Sequence, residues 1–172
     1  AVNADRVLSK RAQHSYLIEG NIYAARNEAG AKTELWADKI FYNRLEDRGR
    51  AEANKNKQLR LAYAPARARY DLYADALEFE DKFDLFKAAG SVELADADNT
   101  LYAQNMRYRV STGFFEAWGF RPLFIGFSDE GDYALKADKI EAFTQQGKIT
   151  ARGNAQGWIT FTKDFKDLKT GI

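Results

Sequence analysis

The side chains able to do chemistry are few, and their spacing does not assemble a reaction centre. His14 is the single histidine and cysteine is absent, so the usual four-ligand zinc site has no donors. Ser15 follows His14, but no orienting acid and no oxyanion loop accompany the pair, as nucleophilic catalysis requires. His14 therefore reads as an ordinary surface or strand residue. Glycoside hydrolysis needs two facing carboxylates, and Asp38, Asp75 and Asp138 recur at equivalent places in the chain. A fourth equivalent place holds Gln104, and a polar residue repeated in every hairpin fits a turn or corner hydrogen-bonder better than a catalyst. Gly20, Gly90, Gly119 and Gly153 open no helix and build no phosphate loop; they mark close backbone approach or a bulge within a strand. The expectation is a chain with no catalytic residue, no metal and no cofactor.

One basic tract interleaves charge with aromatics: Arg60, Arg67 and Arg69 with Tyr63 and Tyr70. Single-stranded nucleic acid is bound by such mixtures. Acidic residues flank the tract, however, and the net charge is only +1, so nucleic acid is not expected as a partner. The tract reads as a solvated loop or an anion-contacting rim.

The elements that position these residues are repeats. Leu135-Lys136-Ala137-Asp138-Lys139-Ile140 matches Leu72-Tyr73-Ala74-Asp75-Ala76-Leu77, Leu101-Tyr102-Ala103-Gln104-Asn105-Met106 and Leu35-Trp36-Ala37-Asp38-Lys39-Ile40, with a further copy at Ala4-Asp5-Arg6-Val7. In four copies a glycine follows the alanine after 16 residues, and in the fifth Ala53 stands in its place. A repeat of this kind governs the fold. Each copy reads as a β-hairpin with polar tips at 43–48, 80–84, 109–113 and 144–148. The second arms alternate regularly, as in Phe86, Ala88, Gly90, Val92 and Leu94, with charged residues between, the pattern of an antiparallel sheet wetted on one face. The first arms change parity. Leu35 and Ala37 share one face, but Ile40 and Tyr42 lie on the other parity, so the strand must bend at the Ala-Asp pair to keep both sets inward.

No apolar run approaches the roughly 18 residues of a membrane-spanning helix, and no helical periodicity is convincing; Arg6 to Ser15 is the weakest exception. At 172 residues, with the repeat running end to end, a single domain is expected over 1–172, with inserts at about 54–71 and 119–131 and a polar tail at 163–172. The insert Phe120 to Phe127 is apolar and reads as a docking loop. The chain starts inside a copy of the repeat, and the expectation is a leader or anchor that was cleaved or lies outside it. Short strands in consecutive hairpins indicate an all-β sandwich, jelly roll or β-solenoid.

The inward apolar set comprises Ile22, Ile40, Tyr42, Leu77, Phe79, Phe86, Val92, Leu94, Met106, Tyr108, Phe115, Ile140 and Ile149. Two readings of it stand: a filled sandwich core, or a sandwich left partly open whose interior receives acyl chains. In the second reading the recurrent alanines and glycines leave the room.

The elements Ala37-Asp38-Lys39-Ile40, Ala74-Asp75-Ala76-Leu77, Ala137-Asp138-Lys139-Ile140, Gly20-Asn21-Ile22 and Gly90-Ser91-Val92 resemble the OstA-type periplasmic lipopolysaccharide-transport proteins: the LptA and LptC proteins and the N-terminal domain of LptD. The resemblance covers most of residues 2–157; Ala53 for Gly, Gln104 for Asp and the two inserts depart from it. It implies an all-β, antiparallel, open β-jellyroll of about five repeated hairpins. It also implies a non-enzymatic, periplasmic module, shielding lipopolysaccharide acyl chains in transit from inner to outer membrane. The inward set would hold the lipid, with Arg67 and Arg69 as candidates for its phosphates. Implied partners are lipopolysaccharide or a similar glycolipid, other jellyroll transport proteins joined by edge-strand pairing, and a further copy of the chain in a homo-oligomer. The alternative is a structural β-sandwich that assembles through its edges and binds no lipid.

Overall fold

The parity change is answered by bulges at Gly20-Asn21 and Gly90-Ser91, and one continuous antiparallel sheet divides into two facing halves. The computed structural model describes residues 1–28, 30–54, 57–64, 69–129, 131–146 and 148–161. The described residues form β1 (Val2–Asn3), β2 (Arg6–Lys10), β3 (Ser15–Glu28), β4 (Ala31–Asn43), β5 (Arg48–Glu52), β6 (Leu59–Ala64), β7 (Tyr70–Ala74) and β8 (Ala76–Glu80). They continue as β9 (Leu85–Ala95), β10 (Asn99–Arg109), β11 (Phe114–Trp118), β12 (Leu123–Ser128), β13 (Gly131–Lys136), β14 (Lys139–Phe143), β15 (Lys148–Arg152) and β16 (Gln156–Phe161). Short 3-10 turns at Arg11–Gln13, Asp81–Phe83 and Thr144–Gln146 close three of the hairpins.

The first half runs β2-β3-β4-β5-β8-β9-β10-β11-β14-β15. The second runs β1-β3-β4-β6-β7-β9-β10-β12-β13-β16. The long strands β3, β4, β9 and β10 belong to both, and all pairings are antiparallel. This is an all-β jellyroll, as the repeat and its resemblance imply.

The corner is built by the repeated Asp and Gly. Register shifts between Glu19 and Ile22, so that Gly20 and Asn21 oppose the single Asp38; Gly90 and Ser91 oppose Gln104 in the same way. Gly90 has φ +74° and Ser91 +46°, the left-handed region that glycine adopts at least cost. A Cβ on Gly90 would collide with the Asp75 carboxylate, and one on Gly20 with that of Asp5. The glycine thus gives the bend and also the space its partner acid fills. The acid ties down the chain beyond the bend: Asp5 accepts from Asn21 Nδ2 at 3.0 Å, Asp138 from Asn154 Nδ2 at 2.8 Å, and Asp38 from the Asn54 N–H at 2.8 Å. Ala53, the departure from the pattern, is not among the positive-φ residues, and β5 stops just before it at Glu52.

Two corrections follow. Within the tract read as a solvated loop or rim, β6 and the start of β7 pair with each other, and they join β4 to β9. The Phe120–Phe127 segment read as a docking loop contains β12, which pairs β10 with β13 and buries Phe124. In both, alternation was present but masked: by Arg60 outside Leu59 and Leu61, and by the continuous run Leu123-Phe124-Ile125. The polar tail at 163–172 lies outside the described residues.

Candidate functional site: a cavity between the two halves

Cross-strand rows of side chains line the interior. In the first half, the row beside the corner reads Ile18, Ile40, Ala51, Leu77, Ala88, Met106, Ala117, Ile140, Ala151. Its counterpart in the second half pairs Ile22 with Ala37, Leu59 with Ala74, and Val92 with Ala103. Branched and small side chains alternate, and most of these residues are buried. Burying each isoleucine here stabilises the corner by about 2 kcal/mol.

One step away from the corner the composition changes. The first half presents Tyr42, Gly49, Phe79, Phe86, Tyr108, Phe115, Ala142 and Ile149. The second presents Leu35, Leu61, Leu72, Leu94, Leu101, Phe124 and Leu135, leucine against leucine across five strands. Between these rows lies a cavity of about 990 Å³ that extends from Val2 and Ala24 at one end to Phe143 and Ile149 at the other. Its wall is overwhelmingly apolar, with polar groups such as Lys82, Asp84, Asp96, Asn99 and Lys148 among its lining. Burial pushes the Tyr108 phenol above its ordinary pKa, so it faces the cavity uncharged at neutral pH.

Of the sequence-predicted residues, Leu77, Phe79, Phe86, Leu94, Met106, Tyr108, Phe115 and Ile149 line this cavity. Ile22, Ile40, Val92 and Ile140 do not; they fill the corner beneath it. Tyr42 is part-buried, stacks on Phe79 at 6.2 Å and donates to Asp47 Oδ1 at 2.8 Å. Arg67 lies outside the described residues. Arg69 is not among the cavity residues: its guanidinium bonds Asp71 at 3.0 Å, and Asp71 also accepts from Arg60 at 2.7 Å. Arg60 in turn lies over the Trp36 ring, at 4.8 Å. Asp38, Asp75 and Asp138 are corner residues, and His14 is an exposed turn residue with φ +48°.

The idea that repeated alanines leave room for a ligand is corrected. Ala37, Ala74 and Ala137 are buried at the corner and are not among the cavity residues. The space lies further out, between the leucine and aromatic rows, with Ala24, Ala31 and Ala142 also in its wall. Sequence reasoning missed Leu35, Leu61, Leu72, Leu101, Phe124, Tyr133, Tyr63, Tyr70 and Phe83, all of which line the cavity. A signal existed for three of them: Leu35, Leu72 and Leu101 are the first residue of the Leu-x-Ala repeat element itself.

Both ends of the jellyroll are unpaired. Among the described residues, β1 and β2 bond only β3, β15 bonds only β14, and β16 bonds only β13. Inward positions at these edges stay uncovered: Val7 is 59% exposed at one end, and Ile149 and Ile159 are 40% and 66% exposed at the other.

Neither a protein-family model nor a curated protein sequence matches the chain. Among solved structures, it is similar to LptH of Pseudomonas aeruginosa, described as the LptA-homologous periplasmic component of the conserved lipopolysaccharide transport device. The TM-score is 0.54 at 12% identity, with 64% of this chain and 75% of that one covered. Likeness at that identity speaks for backbone architecture. The chain has the β-jellyroll fold of that lipopolysaccharide-transport component.

Proposed function

We propose that this chain is a non-enzymatic, periplasmic glycolipid-transport module of the OstA type, shielding acyl chains of lipopolysaccharide or a similar glycolipid between its two half-sheets. The observation that carries this reading is the apolar cavity running from one unpaired edge to the other. Each methylene moved from water into such a trough is stabilised by about 0.8 kcal/mol, so long chains supply ample driving force without covalent chemistry. The unpaired edges complete the reading. A second jellyroll, of this chain or a related transport protein, adds its strand to β2 or β15 and continues both sheet and trough. A structural sandwich assembling through the same edges would also use β2 and β15, but it has no need of a cavity between its half-sheets.

Photo-crosslinking side chains at Phe79, Leu94 and Tyr108 are expected to capture lipid in the native host, identified by mass spectrometry, while Lys87 and Glu93 on the outward parity capture none. Capture confined to the outward pair would sink the proposal.

A further inference from the structure

The three 3-10 turns that close first-half hairpins occupy equivalent places, and one differs from its sisters. The third turn residue is Gln13 in the first and Gln146 in the last, but Phe83 in the middle. The backbone differs as well. Asp81, Lys82 and Phe83 have φ of 53°, 56° and 70°, three consecutive non-glycine residues in the left-handed region, which L-residues visit singly and at a cost. The turn between β2 and β3 holds one such residue, His14.

The strained turn brings the Phe83 ring to the cavity wall, stacked on Phe79 at 4.8 Å and tilted against Phe86 at 6.5 Å. From the other half-sheet, on β3, the Arg26 guanidinium lies over the same ring at 5.6 Å. This contact reaches the Phe83 ring from the second half-sheet, and both residues line the cavity. Phe83 is still 41% exposed, so it caps the cavity and is no part of the packed core.

We propose that Phe83 is a displaceable plug, latched by Arg26, which an entering acyl chain replaces. The inference rests on the acyl-chain reading of the cavity. An acyl chain offers Phe79 and Phe86 the apolar contact that Phe83 gives them, and release of the ring lets the left-handed turn relax. A polar solute compensates for neither loss. Loading is therefore slowed by the latch and selective for apolar chains, and the empty trough is kept from binding stray hydrophobic surface.

The test is stopped-flow uptake of dansyl-undecanoate by the purified chain. Phe83→Ala is expected to load about tenfold faster than the parent, the size of one aromatic stack and one cation–π contact. Phe83→Leu, which keeps an apolar side chain, guards against a folding artefact and should fall between. Arg26→Gln should load about threefold faster, because the cation–π contact with the Phe83 ring is lost. The chain has no cysteine, so Arg26→Cys/Phe83→Cys can be bridged by a short cleavable bis-maleimide; uptake should stop when bridged and return on cleavage. Unchanged rates in the single variants and normal uptake by the bridged form would overturn the plug and leave the acyl-chain reading standing. Absence of uptake by the parent and by Phe83→Ala alike overturns both.

Discussion

Met106 and Tyr108 are two residues apart on one strand and point the same way, yet they sit in different physical settings. Met106 belongs to the corner row, where isoleucine, leucine or methionine on one strand meets alanine on the next and the two half-sheets close on each other. Tyr108 belongs to the next row out, where Phe86, Tyr108 and Phe115 stand side by side and line the cavity together with the leucines of the other half. Side-chain volume is larger in the second row, and still that row leaves the cavity. The free space lies beside this second row of large side chains, and the buried alanines of the corner row do not border it. The corner row is packed core; the outer row borders the cavity. Leu77 and Met106 touch both, as the floor of the cavity.

This division is open to direct attack. Ile140 is fully buried at the corner, so Ile140→Ala should cost about 3–4 kcal/mol in chemical denaturation, as a cavity-forming core truncation does. Lipid capture at Tyr108 should persist at temperatures where the variant is folded. Gly90→Ala should cost about 2 kcal/mol, combining an unfavourable left-handed backbone with the collision against Asp75. The double variant Asp75→Ala/Gly90→Ala should lose less than the sum of the two singles, because the collision is gone. By contrast, Tyr108→Ala removes a side chain that already borders free space, and should cost about 1 kcal/mol or less. Lipid crosslinking from Phe79 should nevertheless fall several-fold. Equal stability losses for Ile140→Ala and Tyr108→Ala would erase the distinction between the rows.

The fold was largely legible in the sequence because the repeat encodes the bend twice. Leu35 and Ala37 against Ile40 and Tyr42 give the parity change, and Gly20-Asn21 and Gly90-Ser91, 16 residues beyond Ala4 and Ala74, give the bulge. The site was legible in part. Alternation names inward residues, but Ile140 and Ile149 read alike although one fills the corner and the other lies at an open edge. Which inward residues are spare depends on the distance between the half-sheets, a tertiary quantity that periodicity does not contain. The leucine row was hidden for a different reason: Leu61 and Phe124 lie in stretches whose charge or continuous hydrophobicity obscures period two.

The smallest effect tests the outer surface of the second half. Burial alone would raise the Asp71 carboxyl, but hydrogen bonds from Arg69 and Arg60 outweigh it and hold its pKa below the ordinary value. A group depressed in the folded state contributes stability above its unfolded pKa, and the contribution disappears as pH falls through the folded value. Asp71→Asn should therefore cost about 1 kcal/mol at neutral pH, the scale of a charge-assisted hydrogen bond. The denaturation curves of the variant and the parent should converge below about pH 4, where free aspartate protonates. Because the Arg60–Asp71–Arg69 cluster lies apart from the cavity residues, lipid capture at Leu94 should not change. A loss of capture in Asp71→Asn would place these arginines in contact with ligand and move the boundary of the site to the outer face of β6 and β7.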